Sequence, residues 1–367
     1  MQQINFPTIL TIFGITGDLA EKKLLPSLLE LYKLDLLPDK FKVVGFSHTK
    51  LSETEDQDQA LRKYVREKLS AQDFDLKNCE DFIDSFHYQQ GDFTQEADFR
   101  DLKYHIDKLE DSLEQCTNKL YYFSVSPKFY ETILDQLKKS NLNAPCSRET
   151  GWARVLIEKP FGEDIKSAQQ LNQKLSEVFK EEQIFRIDHY LEKAMVQDIL
   201  TFRFTNTMFE PVWNNEYIEK IEIKVHEDFG AESRGAFYDD IGTWRDVGKN
   251  HGLQMLSTVT MDQPDTLEAE DIRKKRVEVL TNLHCMSEEE VAENTTRGQY
   301  DDYKKLNGVK DDSNTETFFR INTQVDTKRW KGVPITIESG KQLHGKHAGI
   351  TVHFKPSKFA VCPTNEE

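Results

Sequence analysis

The sequence has no C-x-x-C pair, no internal repeat, no low-complexity tract and no basic stripe. Its five cysteines, Cys79, Cys116, Cys146, Cys285 and Cys362, are scattered and odd in number. That pattern argues against a disulfide framework or a zinc cage and makes a reducing cytosol the simplest home. No apolar run approaches the roughly 20 residues needed to span a bilayer. The opening MQQINFPTILTIFGITGDL has no basic n-region, and Thr11 and Gly14 break its apolar run. It reads as a strand, not a signal peptide. Positive charge is in deficit: 48 Lys and Arg stand against 64 Asp and Glu, for a net charge of −16. Such a surface repels a nucleic acid. A small anionic substrate would need a local cluster of cations inside a cleft.

A chain of 367 residues predicts two domains with cores that need no staples. Residues 7–190 alternate short β-branched and aromatic runs (TILTIFG, FKVVGF, KLYYFSV, ARVLIE) with helical patterns, the clearest at LAEKKLLPSLLELYKL, 94–112, 127–140 and 163–181. This alternation predicts a doubly wound parallel sheet of Rossmann type over 1–188. Beyond it, a helix over about 190–208, a strand IEKIEIKVHED, a long helical stretch over about 236–260 and three late strands predict an α+β domain over 189–367. Its sheet should be mixed, largely antiparallel and incomplete. Residues 298–314 are charged and turn-rich, the composition of an exposed loop.

Gly14 and Gly17 lie between the first strand and an amphipathic helix. Glycines there permit a tight turn and a close backbone approach, and the helix start offers free N–H groups to a pyrophosphate. The segment Gly14, Ile15, Thr16, Gly17, Asp18 and Leu19 is therefore the expected cofactor turn. An acidic residue at the end of strand two would hold a ribose diol and favour NAD. Ser47, His48, Thr49 and Lys50 stand there instead, a set better suited to a 2′-phosphate, so NADP is expected and NAD is the alternative.

Four stretches then occur in order: GITGDLAEKKLLPSL, EKPFGED, RIDHYLEKAMVQDIL and RDVGKNHGLQML. Together they closely resemble glucose-6-phosphate dehydrogenase, from about residue 8 to about 355. The resemblance implies oxidation of glucose 6-phosphate at C1 to 6-phosphoglucono-1,5-lactone, with hydride transfer to the nicotinamide. This is the first step of the oxidative pentose phosphate pathway. It implies His251 as the base and Asp188 as its orienter, an Asp–His dyad spanning the domain junction. It implies His189, Tyr190 and Lys193 at the phosphate, with Lys346 as a further basic residue. Glu227, Asp246 and Lys341 fall at sugar-binding positions, and Lys159 at one shared by cofactor and sugar. His48 and Tyr130 fall at cofactor positions.

The residue chemistry is consistent with those roles. Imidazole titrates near working pH, and a carboxylate against it fixes the tautomer. Carboxylates accept hydrogen bonds from vicinal diols. On an α-helix Asp246 and His251 would stand about 140° apart. With a helix from 190, His189 would sit at its start and Lys193 one turn in, both reaching one anion.

Three features depart from the family pattern. Glu192 and Ala194 replace its glycine and glutamate, and a carboxylate about 6 Å from a bound phosphate would cost roughly 3 kcal/mol at an effective dielectric near 20. His48 stands in place of its arginine. The chain is shorter than the family, which leaves its expected homodimer sheet incomplete. Two further functions stay open: an NAD-dependent oxidoreductase of an unphosphorylated sugar, and a silent homologue that binds nucleotide or a partner chain.

Overall fold

The computed structural model describes residues 6–146, 150–162, 164–191 and 194–357. Backbone contacts divide the chain into Met1–Ile187 and Asp188–Glu367.

In the first unit, six strands form one parallel sheet: β1 (Thr8–Phe13), β2 (Phe41–Ser47), β3 (Phe86–Gln90), β4 (Asn118–Phe123), β5 (Ala153–Ile157) and β6 (Ile184–Arg186), in the order β3-β2-β1-β4-β5-β6. This is the doubly wound Rossmann order. The helices α1 (Leu25–Lys33), α2 (Gln57–Ser70), α3 (Glu80–Asp84), α4 (Glu96–Leu113), α5 (Tyr130–Lys139) and α6 (Ile165–Ser176) flank it. Each face buries its own apolar cluster. One centres on Phe13, Phe46, Phe99 and Phe123, the other on Ile12, Leu25, Val43 and Phe86. Burial on both faces is what a β-branched, aromatic strand sequence demands.

Three elements had no clear sequence signal. β3 reads FHYQQ, an edge strand with only Phe86 and Tyr88 buried. α2 carries a thin apolar stripe of Ala60, Leu61, Val65 and Leu69 among charges. It lies along the β3 edge and satisfies its free groups: Asp58 accepts from Tyr88 N–H at 2.7 Å and Arg62 Nε donates to the Phe86 carbonyl at 3.0 Å. Such cover protects an edge from foreign pairing. β6 is only three residues long.

The cysteine expectation needs correction, because Cys116 and Cys146 form a disulfide with Cα atoms 5.5 Å apart. One bridge is not a framework, but it removes the support that cysteine spacing gave to a reducing compartment.

The second unit holds a five-stranded mixed sheet: β7 (Ile218–His226), β8 (Thr295–Gly298), β9 (Phe318–Thr323), β10 (Ile335–Gly340) and β11 (His347–Phe354), in the order β11-β7-β10-β9-β8. The β10–β7 pair is parallel and the other three pairs are antiparallel. The helices of this unit are α7 (Ala194–Phe204), α8 (Gly235–Asp239), α9 (Leu253–Thr260), α10 (Ala269–Thr281) and α11 (Glu288–Asn294). Met255, Leu256 and Val259 pack with Ile221, Ile223 and Ile337 in its core.

Two helix expectations are corrected. The first helix begins at Ala194, not near 190. Asp188 takes the backbone ahead of it: its carbonyl accepts from Leu191 N–H at 3.1 Å and its carboxylate from Tyr190 N–H at 2.9 Å, closing a turn. The stretch 236–260 is not one helix either. α8 ends at Asp239, Gly242 follows at φ +75°, and a π-helical segment, Trp244–Gly252, precedes α9. The loop after β8 is also less exposed than its composition implies. Tyr303 is fully buried and bonds to Asp239 at 3.1 Å, and Ser313 bonds to the same carboxylate.

Candidate active site

In the first unit, β1 delivers the chain into the glycine turn. Gly14 has φ +81°, and a Cβ on it would stand 2.4 Å from the Ser124 carbonyl oxygen. Only glycine fits that contact. Gly17 N–H closes the turn onto the Gly14 carbonyl at 2.9 Å. Ile15 is fully buried against Gly45 and offers no surface of its own to a ligand, so it shapes the turn from beneath. Thr16 Oγ1 lies 2.9 Å from Ser47 Oγ and 3.4 Å from Thr49 Oγ1, a hydroxyl cluster joining the ends of β1 and β2. His48 is exposed beside it, and Lys50 pairs with Glu53. Asp18 is exposed and bonds to Lys22 at 2.9 Å, which holds its carboxyl below the usual range. Leu19 continues the helix start. A glycine cradle, a helix start and hydroxyls without a carboxylate at the β2 end fit a dinucleotide.

Lys159 is half-buried two residues past β5, and its bond to Pro160 is cis. Tyr130 lies beneath that segment: it is 1% exposed, and its hydroxyl donates to the Glu158 carbonyl at 3.0 Å. It braces the lysine's backbone and offers almost no surface of its own.

The second unit assembles the dyad. His251 is 1% exposed, and its Nδ1 donates to Asp188 Oδ1 at 2.8 Å. Its Nε2 is buried and has no hydrogen-bond partner among the described residues. Burial would raise the Asp188 carboxyl, but the His251 hydrogen bond and charge and the Tyr190 N–H outweigh it and hold the group below the usual carboxylate range. Asp188 is thus the first residue of this unit, and both dyad members belong to it.

Tyr190 stacks on His251 with ring centres 4.0 Å apart and planes at 22°. His189 meets the same imidazole edge-on at 4.7 Å. Burial, aided by the charges of Glu227, Asp246 and Asp188, pushes the Tyr190 hydroxyl up to about 12, so it stays a neutral donor. The helix spacing of Asp246 and His251 is corrected here. Both lie on the π-helical segment, whose i→i+5 hydrogen bonds widen each turn. Residues five apart therefore return toward one face instead of standing 140° apart.

Glu227 and Lys341 follow the ends of β7 and β10, which run parallel with His226 opposite Gly340. Register alone therefore places them side by side, and the Lys341 ammonium donates to Glu227. Lys341 is 7% exposed and lies over the Phe229 and Tyr238 rings at 5.1 and 5.0 Å. That aromatic seat had no sequence signal. Nor did Arg276 of α10: burial lowers its guanidinium, and the nearby Asp188 charge opposes the shift. Lys346 is exposed on the turn into β11, and no described hydrogen bond or ion pair joins it to the dyad or to the Glu227–Lys341 pair. Lys193 and Glu192 lie outside the described residues. A recess of about 810 Å³ in this unit is lined by Arg203, Glu210, Asp262 and Arg329 and by none of the candidate site residues.

Residues 11–198 match the glucose-6-phosphate dehydrogenase NAD binding domain, and residues 200–367 match the glucose-6-phosphate dehydrogenase C-terminal domain. The chain belongs to the glucose-6-phosphate dehydrogenase family. That places it among the oxidoreductases that use a nicotinamide dinucleotide. It is similar to glucose-6-phosphate 1-dehydrogenase of Bacillus subtilis (strain 168), 39% identical over 98% of this chain and 73% of the relative. The chloroplastic enzyme of Solanum tuberosum is 38% identical over 94% of this chain and 60% of its own length. A solved glucose-6-phosphate dehydrogenase in complex with its substrate glucose-6-phosphate superposes with a TM-score of 0.86 at 32% identity, covering 98% of this chain and 74% of that one. The chain thus spans about 60–74% of these relatives.

Proposed function

We propose that the chain oxidises glucose 6-phosphate at C1 to 6-phosphoglucono-1,5-lactone. The observation that carries this reading is the His251 imidazole, tied through Nδ1 to Asp188 and left with a buried, unpartnered Nε2. That nitrogen takes the proton of the sugar 1-hydroxyl, and Asp188 holds the tautomer and stabilises the imidazolium. A bound nicotinamide dinucleotide supplies the hydride acceptor. Glu227 and Asp246 accept hydrogen bonds from sugar hydroxyls, with Lys341 fixing Glu227. His189, Tyr190 and Lys193 receive the phosphate, and Lys346 adds positive charge from its turn. Lys159 serves substrate and cofactor, with Tyr130 beneath it.

NADP is the proposed cofactor, on the hydroxyl cluster of Thr16, Ser47 and Thr49 with His48 and Lys50 and no carboxylate at the end of β2. The proposed compartment is the cytoplasm, and a second copy of the chain is the proposed partner.

Purified chain mixed with glucose 6-phosphate or glucose, each with NADP or NAD, tests the reading through absorbance of the reduced cofactor. Signal with glucose 6-phosphate and NADP is expected. Signal only with free glucose and NAD would overturn the phosphate assignment. Silence in all four mixtures from a folded chain would overturn the activity.

A further inference from the structure

A second histidine cluster lies in the first unit, outside every residue assigned above. Asp58 is in the first turn of α2, His87 on β3 and His105 on α4. His87 Nδ1 lies 2.7 Å from Asp58 Oδ2, while Asp58 Oδ1 is held by Tyr88 N–H. The carboxylate therefore fixes the His87 ring and leaves Nε2 as its free lone pair. That Nε2 is buried and has no hydrogen-bond partner among the described residues. The His105 ring stands edge-on to His87, with centres 6.0 Å apart. One ligand atom from each of the three residues lies within 4.8 Å of the others.

We propose that Asp58, His87 and His105 form a binding site for a borderline divalent transition-metal cation of the zinc class. Imidazole nitrogens select such ions over magnesium or calcium, which prefer all-oxygen shells. Ligand atoms on a tetrahedral zinc ion stand about 3.4 Å apart for bonds near 2.0–2.1 Å. Closure by somewhat over 1 Å through side-chain rotation is enough to bind one. His87 and His105 supply the nitrogens. Asp58 acts as the carboxylate behind a ligating histidine, which fixes its tautomer and ring orientation. All three residues are half-buried, so an ion can enter. Water completes the shell. The cation next to the site is Lys108, which lies over the Tyr104 ring at 4.4 Å. The ligands come from β3 and α4, and Asp58 of α2 stands behind His87, so a bound ion ties β3 to α4 and, through that carboxylate, to the helix covering the sheet edge.

The contrast with His284 sharpens the reading. Its two nitrogens face Asp326 at 3.0 Å and Glu290 at 3.1 Å, so neither is left for a metal.

The test uses the tag-free full chain, stripped with a chelator and titrated with Zn²⁺ by calorimetry and with Co²⁺ by its visible ligand-field bands. One ion per chain is expected. His87→Gln and His105→Gln should each weaken binding at least tenfold, and Asp58→Asn tenfold to a hundredfold. His284→Gln should bind as wild type. Zinc should raise the melting temperature of wild type but not of His105→Gln. His105 lies on a helix, so its variant keeps the test valid if His87→Gln does not fold. A wild-type chain that binds neither ion would overturn the site, as would His105→Gln binding with wild-type affinity or His284→Gln losing as much as His105→Gln.

Discussion

Each unit of the protein contains an Asp–His pair built the same way. In both, the histidine Nδ1 meets a carboxylate, at 2.8 Å for His251–Asp188 and 2.7 Å for His87–Asp58. In both, the same carboxylate also accepts a backbone N–H, from Tyr190 and Tyr88 respectively. In both, Nε2 is buried without a described partner. The pair alone does not specify chemistry. What faces the free nitrogen does. Around His251 stand a stacked tyrosine, the carboxylates of Asp246 and Glu227 and a lysine seated on aromatic rings, groups suited to an uncharged sugar with an anionic tail. Opposite His87 stands another imidazole, which offers a second lone pair and suits a cation.

The largest effect separates the two histidines. His251→Asn should lower kcat about 10²–10⁴-fold while glucose 6-phosphate still binds, measured by reduced-cofactor absorbance and by equilibrium binding. His87→Asn should leave kcat within about twofold. Equal losses in the two variants would erase the distinction.

The carboxylates come next. Asp188→Asn should lower kcat about a hundredfold, because an amide cannot stabilise the imidazolium. Asp58→Asn should leave the turnover profile across pH unchanged.

A smaller effect concerns what lies against the base. Tyr190→Phe keeps the stacked ring and removes only a neutral hydroxyl. The loss of one hydrogen bond to a charged group, about 1.5–3 kcal/mol, should appear as a KM for glucose 6-phosphate raised roughly tenfold or more with kcat nearly kept.

The smallest effect is one the two sites should share. Asp188 and Asp58 are both held below the usual carboxylate range: in each, burial is outweighed by hydrogen bonds from histidine and backbone. A carboxyl lowered in the folded state adds stability above its unfolded pKa near 3.9, and that stability is lost as pH falls through the lower native value. Urea unfolding should therefore show each Asp→Asn variant less stable than wild type near pH 6. The gap should narrow below pH 4. A gap that widens toward acid would reverse the sign assigned to these groups.

Legibility of the sequence tracked how local the physics was. The Rossmann sheet was readable because Thr8–Phe13, Phe41–Ser47 and Asn118–Phe123 are mostly buried and so spell short runs rich in β-branched and aromatic residues. FHYQQ was not, because β3 is an edge strand whose free groups are met by Asp58 and Arg62 from another element. Gly14 was readable, since strand, glycine and helix are adjacent in the chain. Glu227 and Lys341 were recognisable as two separate candidate residues but not as one contact, because that contact depends on the register of β7 against β10. The Asp58–His87–His105 cluster left no trace in spacing, since its members come from three elements. The start of α7 was misread because Asp188 closes a turn with its own side chain, an interaction that helical periodicity does not encode.

The π-helical segment Trp244–Gly252 has a consequence for how this site tolerates change. A wide turn holds one residue more than an α-helix of the same reach. Deleting a single position between Asp246 and His251 would leave every functional side chain in the sequence and still give a good helix. The two side chains would then stand four residues apart, still on one face and about 40° from each other. What would part the imidazole from the carboxylate is relaxation of the segment to an α-helix at unchanged length, which sets residues five apart about 140° from each other.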